Sequence, residues 1–192
     1  MQLWVGLGNP GADYALHRHN VGFMALDAIA ETHGFTADRK QFKGWTREGR
    51  IGSDKIVLLK PATFMNRSGE SIRAALDFYK LEPGDVTVFH DELDLAPFKV
   101  KVKTGGGAAG HNGLRSADAH IGQDYRRVRI GIGHPGDKAR VHGYVLSNYA
   151  KAEFEPLSDL LGAIAAEAGW LAAGDDPRFM SDIAMRMHDN EE

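Results

Sequence analysis

The chain reads as an α/β fold, because short apolar runs alternate along it with stretches whose apolar residues recur every three or four positions. Two local patterns support this. The run Leu3-Trp4-Val5 leads through a turn into a helical stripe of Val21, Met24, Ala25, Ala28 and Ile29, which is a strand-to-helix connection. Val86-Thr87-Val88-Phe89 runs straight into Asp91, Glu92 and Asp94, and in open α/β sheets the carboxyl ends of strands are where ligands bind. At 192 residues, one domain over 1–192 is expected, long enough for a sizeable core.

Taken in order, Gly34 terminates the first helix. Residues 45–51 and 55–59 read as two strands joined at Gly52-Ser53-Asp54, and Lys60-Pro61 closes the second. A helix with the stripe Ile72, Ala75, Leu76 and Tyr79 follows, for which Asn66 or Ser68, taken alone, reads as a cap. Residues 98–104 alternate strictly, with Phe98, Val100 and Val102 on one face and Lys99, Lys101 and Lys103 on the other, so the lysines stand about 6.6 to 6.8 Å apart in a row. A glycine-rich loop over 105–113, in which backbone amides can turn inward, carries His111 and Asn112. A helix over 114–121 comes next. A strand over 126–132 then places Arg127 and Arg129 on one side and Val128, Ile130 and Ile132 on the other, and two late helices span 156–173 and 177–187.

Composition narrows the function classes. The absence of cysteine excludes disulfides and thiolate metal sites. No apolar run approaches the roughly 18 residues of a membrane span, and the start of the chain has no signal-like pattern, so a cytoplasmic protein without membrane association is expected. The net charge of −3 conceals a division: residues 98–140 hold nine Lys and Arg against three Asp and Glu, whereas residues 151–192 hold three against ten. That asymmetry predicts a localised anion site beside a solvated acidic tail. Gly6-x-Gly8-x-x-Gly11 matches the dinucleotide fingerprint in letters only. Asn9-Pro10-Gly11 makes a turn where the fingerprint needs a helix to open, and Asp27 and Glu31 fall inside the helix instead of ending a second strand.

Five motifs, in order, resemble the bacterial-type peptidyl-tRNA hydrolase family: Gly6 to Gly11; Arg18-His19-Asn20-Val21-Gly22 with Tyr14 before it; Thr63-Phe64-Met65-Asn66-Arg67-Ser68-Gly69; His90-Asp91-Glu92-Leu93-Asp94; and Gly105 through Gly110-His111-Asn112-Gly113-Leu114, followed by Arg129 to Gly136. The resemblance is strongest over residues 1–146. It implies a single domain with a central mixed, mostly parallel β-sheet flanked by helices, and a cofactor-free, metal-free esterase that recycles tRNA from peptidyl-tRNA released by stalled ribosomes. It further implies His19 as catalytic base and Asp91 as its carboxylate partner. Asn9, Met65, Asn66 and Asn112 would line the peptide and ester pocket, Tyr14 would meet the 3′ end of the tRNA, and Lys101, Lys103 and Arg129 its phosphates. A monomer is expected.

The residue chemistry agrees. Ester hydrolysis needs a base to take a proton from water and donors for the developing oxyanion. Imidazole, with an ordinary pKa of about 6.5, suits the first task, and a carboxylate on its other nitrogen fixes the tautomer. No Gly-x-Ser-x-Gly elbow and no cysteine is present, which leaves water as the expected nucleophile. At the position where the family carries Thr or Ser, this chain has His17. His17-x-His19 with His90, Asp91 and Asp94 admits a second reading as a hydrolytic metal site. A third reading is a non-catalytic RNA-binding protein on the same fold, against which the His19 and Asp91 pair argues.

Overall fold

The computed structural model describes residues 1–192. Seven strands form one sheet: β1 (Gln2–Gly6), β2 (Arg39–Gln41), β3 (Gly44–Ile51), β4 (Asp54–Pro61), β5 (Val86–Glu92), β6 (Val100–Thr104) and β7 (Arg126–Gly131). Their order is β2-β3-β4-β1-β5-β7-β6. β1 pairs in parallel with β4 and β5, and β5 with β7, while the β2-β3, β3-β4 and β6-β7 pairs are antiparallel. All strands except β3 and β6 therefore point the same way.

Six helices cover the sheet: α1 (Val21–His33), α2 (Ser68–Tyr79), α3 (Asn112–Ile121), α4 (Val141–Val145), α5 (Phe154–Ala172) and α6 (Asp176–Glu191). The alternation of side chains along β1 divides the interior in two. Trp4 joins the core beneath α1, α5 and α6, whereas Leu3 and Val5 join the core beneath α2 and α3. Apolar runs such as Leu3-Trp4-Val5 suit strands whose two faces are both covered.

α1 begins hard against the sheet because two glycines permit it. A Cβ on Gly6 would stand 2.3 Å from the Gly22 carbonyl oxygen, and one on Gly22 would stand 2.4 Å from the carbonyl oxygen of Phe89. Gly6 thus serves helix-to-strand packing and not pyrophosphate binding.

The two-residue turn Gly52-Ser53 and the left-handed Gly34 fall where the sequence places them. Elsewhere the boundaries shift. β6 begins at Val100, because Phe98 adopts φ 68° and turns its N–H to the Gly131 carbonyl at 3.0 Å. Neither Asn66 nor Ser68 caps α2; the cap position is Arg67, and the Ser68 hydroxyl donates to the Met65 carbonyl at 2.8 Å. The short β2 and α4 carry too little periodicity to read from sequence.

The topology sets where chemistry can gather. The parallel direction of β1, β4, β5 and β7 brings Asn9 and His19 after β1, Met65 and Asn66 after β4, Asp91 near the end of β5, and the segment after β7 to one edge of the sheet. β6 ends at the opposite edge, with Thr104 paired to Arg126, so the glycine-rich loop must travel the length of the sheet to deliver His111 and Asn112 to the same edge.

Candidate active site

Asp91 lies between two histidines. Its Oδ2 is 2.8 Å from His19 Nδ1 and its Oδ1 is 2.7 Å from His111 Nε2. His19 sits in the 3-10 turn Arg18–Asn20 that precedes α1, while His111 is the N-cap of α3. Asp91 and His19 are 3% and 8% exposed, so water competes little for these bonds.

The bonding network assigns the protons. His111 Nδ1 accepts the Gly113 and Leu114 amides at 3.1 and 3.2 Å, which places the ring proton on Nε2 and makes it a donor to Asp91. An ionised Asp91 can only accept, so His19 donates through Nδ1 and its neutral ring keeps a lone pair on Nε2. Burial opposes the charge of the His19 imidazolium, yet the charge of Asp91 and its hydrogen bond outweigh this and raise the pKa above 6.5. Burial likewise opposes the Asp91 carboxylate, but His111 and His19 together hold its pKa well below the ordinary range. His90 differs: burial first, and then the neighbouring His111, push it down to about 3, so it stays neutral while its Nδ1 donates to the Asp91 carbonyl at 2.8 Å.

A cleft of about 820 Å³ opens above this group and is lined by His19, Asp91, Asn9, Met65, Asn66 and Asn112 among others. Asn9 is fixed by three bonds. Its amide oxygen accepts the Met65 N–H at 2.7 Å, its backbone N–H donates to Asn20 Oδ1 at 2.9 Å, and its carbonyl accepts from Asn20 Nδ2 at 2.9 Å. With its oxygen held by Met65, the Asn9 side chain has an NH₂ that makes no bond within the protein and can donate into the cleft. Asn66 and Asn112 are exposed, one in the 3-10 turn Met65–Arg67 and the other opening α3.

The remaining predicted positions do not all converge. Lys103 and Arg129 line the cleft, but Lys101 lies outside its lining, one strand pair across from Arg129 on the exposed edge. Tyr14 is also outside, half-buried near the mouth, with its ring edge-on to His17 at 5.3 Å and to Phe64 at 6.1 Å. Arg127 departs from the expected basic face. It is 1% exposed, donates to the Gly107 and Gly106 carbonyls at 2.8 and 2.7 Å, pairs with Asp118 at 3.1 Å, and lies over the Tyr125 ring. Its function is to tether the glycine-rich loop.

His19, Asp91 and His111 place possible ligand atoms within 4.8 Å of one another. The donor set nevertheless fits a metal poorly, since the facing nitrogens of both histidines carry protons bonded to Asp91 and His111 Nδ1 is occupied by amides. His17, His90 and Asp94 do not join the group. His17 instead bridges to Asn148. His111 is the residue the sequence reading left without a role; its place before Asn112-Gly113, where α3 opens, was the available signal.

A mixed, mostly parallel sheet covered by helices on both faces thus holds a histidine-carboxylate pair, a unit suited to general-base chemistry, near the carboxyl ends of its parallel strands, where α/β folds bind ligands. The family model for peptidyl-tRNA hydrolase matches residues 3–191, and the chain belongs to that family. It is 72% identical over 189 residues to the peptidyl-tRNA hydrolase of Rhizorhabdus wittichii, covering 98% of this chain and all of that one. It is also 72% identical over 187 residues to that of Sphingopyxis alaskensis, covering 97% and 99%. The crystal structure of peptidyl-tRNA hydrolase from Acinetobacter baumannii superposes with a TM-score of 0.89 at 41% identity, over 95% of this chain and 94% of that one.

Proposed function

We propose that the chain, acting as one unit over residues 1–192, hydrolyses the ester between a peptide and the 3′-terminal ribose of tRNA, with His19 as general base. The observation that carries this reading is the His19 Nδ1 bond to Asp91, at 2.8 Å, which leaves Nε2 as the basic atom of a ring lining the cleft. His19 Nε2 takes a proton from water as the water oxygen attacks the ester carbonyl. The resulting imidazolium, held by Asp91, returns that proton to the departing ribose 3′ oxygen. Free peptide and free tRNA result.

Asn9 supports the oxyanion in this scheme because its amide oxygen is already held by Met65 and its NH₂ is the group left to donate. Asn66 and Asn112 supply neutral polar groups for the peptide without trapping an anionic product. His111 acts through Asp91, fixing the carboxylate from the side opposite His19. Tyr14 meets the 3′ end of the tRNA, and Lys101, Lys103 and Arg129 contact its phosphates, where charge supplies affinity and register. The protein works as a monomer in the cytoplasm; no helix is long and apolar enough to cross a membrane.

Incubation with an N-acetylated aminoacyl-tRNA tests the reading. Release of free tRNA and N-acetyl amino acid by the parent, and its loss in a folded His19→Ala protein, is the expected result. Binding of the substrate without release would instead support a non-catalytic RNA-binding protein.

A further inference from the structure

The segment that forms the far wall of the cleft is fastened to the turn that carries His19. Val141, His142, Val145 and Leu146 of this wall line the cleft. α4 is only 5 residues long, and a helix that short does not hold its own position. Val145 and Tyr149 seat it in the core, the Tyr144 hydroxyl donates to the Ile132 carbonyl, and Arg18 ties the residues that follow it to the turn of His19. The Arg18 guanidinium donates to Ser147 Oγ and to the Asn148 carbonyl, both at 2.7 Å, and to Glu153 Oε1 at 2.6 Å. It also lies 4.6 Å from the centre of the Tyr144 ring and 5.3 Å from that of Tyr149. Backbone bonds reinforce the seam: Arg18 N–H donates to Ser147 at 3.0 Å, Tyr149 N–H to Leu16 at 3.0 Å, and His17 bridges Asn148. The Arg18 side chain is 11% exposed, and its bonds to Ser147 Oγ and Glu153 are partly buried.

His19 does not need Arg18 to stay in place, since Asp91 and the Asn9-Asn20 bonds hold its turn independently. The wall is tied to that turn through it. We propose that Arg18 is a positioning residue that sets the α4 wall at a fixed distance from the base, so that its apolar residues Val141, Val145 and Leu146 receive the side chain of the amino acid esterified to the tRNA. This assignment of substrate contact rests on the function proposed above; the mechanical coupling does not. Only a planar guanidinium can engage Ser147, Asn148 and Glu153 together while facing two rings, so lysine is not an equivalent.

The test combines amide exchange with kinetics on Arg18→Met, and on Arg18→Lys should the methionine variant fail to fold. Amides of residues 141–149 should lose protection by about tenfold or more while those of β5 keep theirs. With N-acetylphenylalanyl-tRNA, KM should rise about tenfold and kcat should change by less than about threefold, as expected for a contact kept equally in ground and transition states. N-acetylglycyl-tRNA, which has no side chain to seat, should show less than about a threefold change in KM. Unchanged protection of 141–149, or an equal loss of protection in β5, would overturn the coupling. An equal KM effect on both substrates, or a fall in kcat at constant KM, would overturn the role in side-chain seating. Were the parent enzyme unable to release N-acetyl amino acid at all, the functional reading would fail, and the exchange measurement would still decide the coupling.

Discussion

Asp91 has both carboxylate oxygens bonded inside the protein, at 2.7 and 2.8 Å, whereas Lys101 and Lys103 stand exposed on the edge strand and Arg129 approaches Glu92 no closer than 4.0 Å. The first region is buried and its geometry is over-determined. The second is open and held mainly by the ladder between β6 and β7. Charge in a dry, bonded network is stronger and does not need to reorganise, which suits the step where bonds change. Charge in solvent is screened and acts at a distance, which suits the capture of a polyanion. Changes in the two regions should therefore differ in kind as well as in size.

The largest effect is expected at the base. His19→Ala should keep the fold and lose about 10²-fold or more in kcat, read from single-turnover release of N-acetyl amino acid. Turnover near the parent rate would mean that Nε2 of His19 is not the basic atom.

Asp91→Asn should follow, with a loss of more than about tenfold and a displaced pH profile. In the parent, the acid limb of kcat/KM should be centred above 6.5, since activity needs the neutral ring and Asp91 raises its pKa. Without the carboxylate only burial remains, so the limb should move to lower pH. Stability gives a second readout. Asp91, with its lowered pKa, contributes most above the ordinary carboxylate range and loses that contribution as pH falls, so denaturant midpoints of parent and variant should converge in acid. His19, with its raised pKa, contributes most below about 6.5 and loses its share as pH rises through the raised value. A limb that stays where it was in Asp91→Asn would break the link between the two residues.

A smaller and different effect belongs to the edge strand. Replacing Lys101 and Lys103 together by Ala should raise KM and lower its salt dependence by about 0.7 to 0.9 in log-log slope per lost contact, with kcat nearly constant. Short esters that keep the terminal nucleotide but lack the tRNA body should be almost indifferent. A reduced kcat with unchanged KM would erase the distinction between the two regions.

The smallest effect should come from chelation. Dialysis against a strong chelator, with any magnesium the tRNA needs restored before assay, should leave the rate unchanged, because the His19 and His111 nitrogens facing Asp91 are used as hydrogen-bond donors. Zinc-dependent recovery of a lost rate would restore the metal reading of His19, Asp91 and His111.

β7 shows where sequence reasoning stops. Alternation puts Arg127 and Arg129 on the same face, and the register confirms this, since they pair with Lys103 and Lys101. What covers that face is not a property of alternation. Arg127 passes beneath the glycine-rich loop, bonded to its carbonyls and 1% exposed, while Arg129 stays partly exposed, and both border the cleft. The same limit applies to His111, which the sequence shows only as a histidine before a helix and which meets Asp91 from 20 residues away.

By itself the sequence determined β1, α1, β5 and the sheet's buried character, and with them the placing of Asn9 and His19 in the connection from β1 to α1 and of Asp91 near the end of β5, because apolar periodicity and turn residues act over a few positions. The tertiary structure alone decided that Asp91 has two histidine partners, that the Asn9 amide oxygen is held by Met65, and that Arg18 bonds Ser147, Asn148 and Glu153 from the turn that carries His19. Those outcomes depend on bonds between residues 20 to 135 positions apart. A side chain's partner there is chosen by which elements the sheet order brings together, and nothing in its immediate neighbours encodes that choice.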